Sequence, residues 1–384
     1  MHFTPPRPTF TVRCAKPPIS AKIWMGCIRR WKITASLFRC AVINLPGAER
    51  ANAMPDKLLI TILCSILLFC TAFTHVLPAA PFKDSTGFTC EYVSGRKYYR
   101  AYDIARHMRL RIVKQNKRYE LYGAAGKMVF NPDKRYGSFN NVVINFNFAP
   151  VEKYGQLYIS SSDFFSHVQV LFNPRSLRPV GVRTILIDPG HGGSDRGAAG
   201  QRYTEKALTL QVAKRLQRIL SKMGYRVLMT RVNDRRIELS DRARASNNAR
   251  ADLFISIHMN AASNRSVSGI ETFALTVPGA PSSGGSKVQY TQYPGNAAVN
   301  NSMSLAWNVQ HELVRNLRGN DRGVKQARFV VLRETRCPAI LVECGFISNR
   351  KEENKLGNAS YQENLAVAIA RGVYNYHRNL RIRQ

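Results

Sequence analysis

Four points along this chain carry side chains suited to chemistry: the turn Asp188–Pro189–Gly190–His191–Gly192–Gly193, then Glu205, then Ser256–Ile257–His258–Met259–Asn260, then Val342–Glu343–Cys344–Gly345–Phe346. Each sits where an apolar run gives way to a loop or a helix. Together they offer two imidazoles and two carboxylates. That set suits a zinc hydrolase, which needs three ligands, an open coordination position and a base.

Taken singly, each residue has an ordinary use. Glu205 stands in the first turn of a helix, where an acidic side chain complements the positive end of the backbone dipole. A histidine closing an apolar strand, as His258 does, is commonly a satisfied core residue. Glu343 continues the fully apolar Ile340–Leu341–Val342, where an unpaired charge is costly to bury, so a salt bridge to Arg322 or Arg333 would also explain it. The four positions read together favour His191, Glu205 and His258 as metal ligands and Glu343 as a general base. Asp195 and Asn260 are candidates to orient a ligand or touch substrate. GHGGSDRG lacks the glycine spacing and the Lys–Ser/Thr of a phosphate loop.

The elements that would position these residues alternate. A strand at Thr184–Ile187 stops at Asp188–Pro189–Gly190, whose glycines let the chain swing His191 over the strand end. Thr204 reads as an N-cap, followed by an apolar stripe of Leu208, Val212, Leu216, Ile219/Leu220 and Met223 up to Gly224. Strands are expected at Tyr225–Thr230, Asp252–Ile257, Gly269–Leu275, Phe329–Leu332 and Ala339–Val342. Helices are expected after a Ser240 cap, at Ser302–Leu317 and at Gln362–Tyr376. Residues 276–300 are rich in Gly, Pro and Ser and read as a cleft rim. The expected fold class is α/β, a mainly parallel sheet covered by helices on both faces, with ligands at the carboxyl ends of the strands.

Preceding this region, residues 82–173 show short aromatic β runs and two helical stretches, Ala101–Met108 and Ser161–Val168. Tyr158–Ile159–Ser160 before the second echoes Tyr98–Tyr99–Arg100 before the first. The echo resembles the small α+β module at the start of copper amine oxidases and in envelope proteins. No catalytic cluster falls there, so a spacer or wall-docking role is expected, with residues 173–179 as linker.

The first 80 residues read differently again. Leu58 to Leu77 is an almost unbroken apolar run after Lys57, a signal peptide or signal anchor within 54–80. Residues 1–53 hold nine Lys/Arg and one Glu and read as a disordered basic leader, with Met54 a better start. Either way, the catalytic part is expected outside the cytoplasm, in the periplasm or envelope, with membrane contact only through 58–77 if that segment is retained. The formal charge of +33, from 57 Lys+Arg against 24 Asp+Glu, draws the chain to polyanions. No zinc-finger spacing or RNA-binding signature accompanies it, so no nucleic-acid partner is expected. Five of the eight cysteines fall in the first 70 residues, leaving Cys90, Cys337 and Cys344, an odd number that is no disulfide framework.

With these residues in place, the region from about 182 to 377 resembles the zinc-dependent N-acetylmuramoyl-L-alanine amidases of bacterial cell walls. IDPGHGGSDRGAAG, the TEK helix start, LSDRARASNNARADLFISIHMNA, SGIETF and NDRGVKQARFVVLRETRCPAILVECGFISN carry the resemblance. It implies a catalytic domain over 182–378, a bound Zn2+ held by His191, Glu205 and His258, and Glu343 as catalytic glutamate. It also implies hydrolysis of the amide between N-acetylmuramic acid and L-alanine in peptidoglycan, in wall remodelling or daughter-cell separation. Some relatives carry an inserted helix that covers the metal until an activator displaces it. The 276–300 segment does not read as such a helix, so an activator protein stands as a candidate partner rather than a requirement. The rivals are a zinc peptidase acting on the stem peptide, a decayed wall-binding protein and a charge-driven polyanion binder.

Overall fold

Thr184–Pro189 (β1) is buried at all six positions, and that burial organises everything around it. The computed structural model describes residues 82–179 and 181–381. After β1 come Glu205–Lys222 (α1), Arg226–Met229 (β2), Leu239–Asn248 (α2), Leu253–Asn260 (β3) and Ile270–Leu275 (β4). They are followed by Val299–Leu317 (α3), Asp321–Ala327 (β5), Val330–Glu334 (α4), Ala339–Phe346 (β6), Arg350–Leu356 (α5) and Ala359–Arg381 (α6). The strand order across the sheet is β2-β1-β3-β6-β4-β5.

Alternate residues of the central strands supply two cores. Ile185, Ile187, Ile255 and Ile257 pack with Leu208, Val212, Leu216, Val309, Leu313 and Ile369 from α1, α3 and α6. Leu186, Phe254 and Leu341 point the other way, onto Val331 and Leu332 of α4 and Ala245 of α2. The continuous apolar runs of β1 and β3 thus mark strands covered on both faces.

The six strands are mainly parallel, as expected, with one antiparallel pairing that makes the sheet mixed. β1, β2, β3 and β6 run parallel, but β4 pairs antiparallel with β6. The cause is the connection. Only residues 261–269 join β3 to β4, with no crossover helix, so the chain returns in the opposite direction. β5 then runs parallel to β4.

Several expected boundaries shift. Phe329–Leu332 is not a strand; Val330–Glu334 is a short helix, and the strand is the polar stretch Asp321–Ala327. Of the apolar FVVL run, Val331 and Leu332 pack from α4 against the second core while Phe329 is exposed, whereas β5 buries only Gly323, Val324 and Gln326. Neither Thr204 nor Ser240 caps through its hydroxyl. Thr204 instead accepts the first helical amides at its carbonyl, and α2 begins at Leu239, with Glu238 before it. Met223, expected on the apolar stripe of α1, caps the helix and is exposed. Within 276–300 lie a two-strand hairpin, Ala280–Pro281 with Val288–Gln289, and a 3-10 turn, Pro294–Ala298.

Residues 82–173 do not stand apart from this sheet. Val142–Asn145 pairs parallel with β5 through Ile144 and Val324, extending the sheet by five strands to eleven. Asp321 accepts a hydrogen bond from the Val143 amide at 2.7 Å, Trp307 Nε1 donates to the Phe139 carbonyl at 3.2 Å, and Gln326 meets the buried His167 at 2.8 Å. The sequence echo has a structural meaning: Tyr98, Tyr99 and Arg100 pair antiparallel with Ser160, Ile159 and Tyr158, and each strand leads into a helix. The leader at 1–53 and the apolar segment at 58–77 lie outside the described residues. Among those described, no helix is long and apolar enough to cross a membrane.

Leu313 is fully buried between α3 and α6. Leu313→Ala should therefore lower unfolding free energy by about 2–5 kcal/mol, the range for a large-to-small change in a packed core, read from the denaturant midpoint.

Candidate metal centre

The site is built beside the carboxyl-terminal parts of β1, β3 and β6, next to the start of α1. Parallel pairing puts His258 of β3 directly opposite Glu343 of β6, and antiparallel pairing puts Glu271 of β4 opposite Glu343 on its other side. His258, Glu343 and Glu271 therefore form a row across three strands. β6 runs on through Phe346, so Glu343 lies within the strand rather than at its end.

His191 reaches the row from the loop after β1, at a backbone φ of 60°. Two glycines make room for the rings. A Cβ on Gly190 would stand 2.3 Å from the His258 ring, and one on Gly197 would stand 2.5 Å from His191 and 2.6 Å from the Glu205 carboxylate.

Glu205 is the hub. One carboxylate oxygen accepts from the Ala198 amide at 2.8 Å and lies 3.1 Å from His191 Nε2. The other accepts from the Met259 amide at 3.1 Å and lies 2.9 Å from His258 Nδ1. Burial alone would raise the Glu205 carboxyl, but the contacts with His191 and His258 outweigh it and hold the group far below the usual carboxylate range. His191 shows the reciprocal balance. Burial disfavours its charged form, yet Glu205 and then Asp195 raise its pKa. The negative field responsible is the one a divalent cation would meet.

One ligand atom each from His191, Glu205 and His258 lies within 4.8 Å of the other two. Two imidazole nitrogens and a carboxylate oxygen at that spacing are a donor set suited to a divalent cation of the zinc type. Of the two further candidates, Asp195 Oδ2 lies 2.9 Å from His191 Nδ1, the nitrogen turned away from Glu205, and so fixes the ring's orientation. Asn260 reaches no ligand; its Nδ2 donates to Glu271 at 2.9 Å.

Glu343 has neither of the salt bridges its position in the sequence allowed. Arg322 goes to Glu271 at 2.8 Å, joined there by Lys325 at 2.5 Å, while Arg333 lies over the Tyr293 ring. Glu343 Oε2 is enclosed and has no hydrogen-bond partner among the described residues. Burial, and after it the charges of Glu205 and Glu271, holds its carboxyl well above the ordinary range, with Lys325 opposing. A buried polar atom left unmatched beside a candidate cation site marks Glu343 as a candidate functional group.

Sequence reasoning missed the frame behind the ligands. Asp188 is fully buried and accepts from Thr230 at 2.7 Å, Ser256 at 2.8 Å and Arg242 at 2.8 Å. Arg242 also donates to the carbonyls of Pro189 and His191, and Arg231 donates to those of Pro189, Gly190 and Lys206. Both guanidiniums are almost wholly buried. The available signal was a charged residue interrupting or ending an apolar run, as Asp188 and Arg231 do. Glu271 carried the same mark inside SGIETF.

These features define an α/β protein with a candidate three-ligand cation site beside the carboxyl ends of its strands. The profile of the N-acetylmuramoyl-L-alanine amidase family (Amidase_3) matches residues 185–375. Two relatives covered over most of their length are YqiI of Bacillus subtilis, 34% identical over 203 residues (53% of this chain, 89% of that protein), and amidase AmiA of Escherichia coli, 32% identical over 231 residues (53% and 79%). The chain belongs to this amidase family. It is also 38% identical over 200 residues to the amidase LytC of Bacillus subtilis, covering 52% of this chain but only 36% of LytC. A solved amidase from Clostridium difficile 630 aligns at 40% identity over 51% of this chain and 97% of that one, with a TM-score of 0.45.

Two outcomes are expected from this geometry. Asp195→Ala should weaken metal binding by about 10–100-fold, measured by competition with a chromogenic chelator. Arg242→Met strands the buried Asp188 charge and should cost about 3–5 kcal/mol in thermal unfolding.

Proposed function

We propose that the protein is a zinc-dependent N-acetylmuramoyl-L-alanine amidase, cleaving the amide between the lactyl group of N-acetylmuramic acid and L-alanine in peptidoglycan. His191, Glu205 and His258 would hold the metal. The observation that carries the reading is the pairing of that ligand triad with Glu343, whose enclosed, unpartnered Oε2 lies on the strand directly beside His258. Bound zinc would supply Lewis acidity, polarising the amide carbonyl and making a nearby water acidic near neutral pH.

The chain's own residues do the rest. Glu343 takes the proton from the attacking water as oxygen bonds to the carbonyl carbon, then delivers it to the departing alanine nitrogen as the C–N bond breaks. Its upward-shifted pKa suits a group that must both accept and return a proton. Asp195 keeps His191 turned toward the site. Asn260, Arg322 and Lys325 hold Glu271 so that its charge stays fixed and compensated beside Glu343. Residues 82–173 would act as a rigid wall-docking extension of the catalytic sheet. The apolar segment at 58–77 would deliver the catalytic part to the envelope, where its substrate lies.

Digestion of purified sacculi tests this reading. Release of peptides with a free alanine amino group, leaving peptide-free glycan and stopping on chelation, is the expected result. Shortened peptides still attached to glycan would favour a stem-peptide peptidase instead. Glu343→Gln should retain zinc and lose about two to four orders of magnitude in kcat, and near-normal turnover in that variant would remove Glu343 from its role.

A further inference from the structure

Helix α5 begins four residues beyond the end of β6 and has an uneven distribution of charge. Its two central carboxylates are turned inward to hold loops. Glu353 accepts the amides of Arg202 at 2.6 Å and Tyr203 at 3.1 Å. Glu352 accepts those of Gly269 at 3.0 Å and Phe346 at 2.8 Å. Their neighbours Arg350, Lys351 and Lys355 face solvent.

With Arg265 and Arg318, these three cations line a groove of about 550 Å³ whose only acidic lining residue is the already committed Glu352. Among the described residues, none of the five cationic side chains has an ion pair or a hydrogen bond. A second hollow, of about 300 Å³, shares Arg265 and Arg350 with the first and is bordered by Ala199, Gly200, Ile347, Ser348 and Glu353, whose carboxylate is already held by the Arg202 and Tyr203 amides. Ala199 adjoins Ala198, whose amide holds Glu205, and the Ile347 amide donates to the Asn260 carbonyl at 2.8 Å. The basic groove is thus joined to the edge of the metal centre.

We propose that this groove receives the acidic stem peptide on the amine side of the scissile amide, its free carboxylates facing Arg265, Arg350 and Lys355. The proposal rests on the amidase reading and deepens it. On the lactyl side of that amide lies the sugar, which offers hydroxyl and acetamido groups; on the alanine side lies a peptide bearing a glutamyl carboxylate and a terminal carboxylate. An extended peptide advances about 3.3–3.6 Å per residue, so on this reading its second and third residues lie beyond the metal centre, on the side of the hollow that adjoins it. Exposed guanidinium and ammonium groups attract such a chain at a range and strength set by salt, and so favour one orientation of the substrate.

The test uses the full chain carrying Glu343→Gln, so that substrate binds without turnover, and two fluorescent muramoyl pentapeptides, one with free carboxylates and one with those groups as carboxamides. The free-carboxylate probe should bind more tightly, and the preference should shrink with added salt. Combining R350E and K355E should remove the preference, at about twofold to fivefold per reversed side chain, leaving carboxamide binding unchanged. Arg265→Ala, on a loop, should act in the same direction. Equal affinity for the two probes, or a variant that loses binding only to polyglycerol phosphate, would overturn the proposal, the latter assigning the groove to an anionic wall polymer. Failure of the amidase reading shows separately, as unsubstituted protein that releases no peptide from sacculi while the carboxylate preference persists.

Discussion

A carboxylate taken out of water must be met by donors or charge, and the buried Glu205 is where this constraint shapes the protein most. Its two oxygens accept from two backbone amides and stand beside two imidazoles, drawing on the loop before α1, the end of β3 and the turn after β1. A group so enclosed cannot shift without stranding one of those partners. The geometry of the candidate ligands therefore rests on the β1–α1 connection, the start of α1 and the end of β3 held together by these contacts.

The same constraint separates two kinds of buried charge around the centre. Asp188 is answered by Arg242 and two hydroxyls, and Glu271 by Arg322, Lys325 and Asn260. These groups are compensated and act as framework. Glu343, in the same row of strands, has no such partner at Oε2. Burial beside two other carboxylates raises the pKa of Glu343, with Lys325 opposing, which suits a side chain that accepts a proton and returns it rather than one that holds a structure.

Helix α5 shows how a surface can be charged without losing local stability. Its glutamates satisfy the amides of two neighbouring loops, which anchors the floor of the cleft, while its basic side chains remain in water. The preceding region contributes rigidity. Because Val142–Asn145 continues the catalytic sheet through β5, the strands within 111–145 share its hydrogen bonding, while the strands at 82–100 and 151–160 form a second sheet that joins the same apolar core.

Much of the centre was legible in the residue order alone. The apolar runs ending at Asp188 and His258, the glycines around His191 and the helix start at Glu205 announce strand ends that converge, because period and turn chemistry are local properties. The α/β class and the apolar stripes of α1 and α3 follow from the same local rules. Other features needed the folded chain. Asp321–Ala327 is a strand because its neighbours on both sides supply hydrogen bonds, although its own sequence is polar. The antiparallel course of β4 depends on a connection too short to carry a crossover. The destinations of Arg231, Arg242 and Arg322, and the isolation of Glu343, depend on which groups meet in space across separations of 25 residues and more. Sequence determines which groups must find partners; tertiary packing decides which partner each one finds, because desolvation penalises a charge according to its surroundings, not its position along the chain.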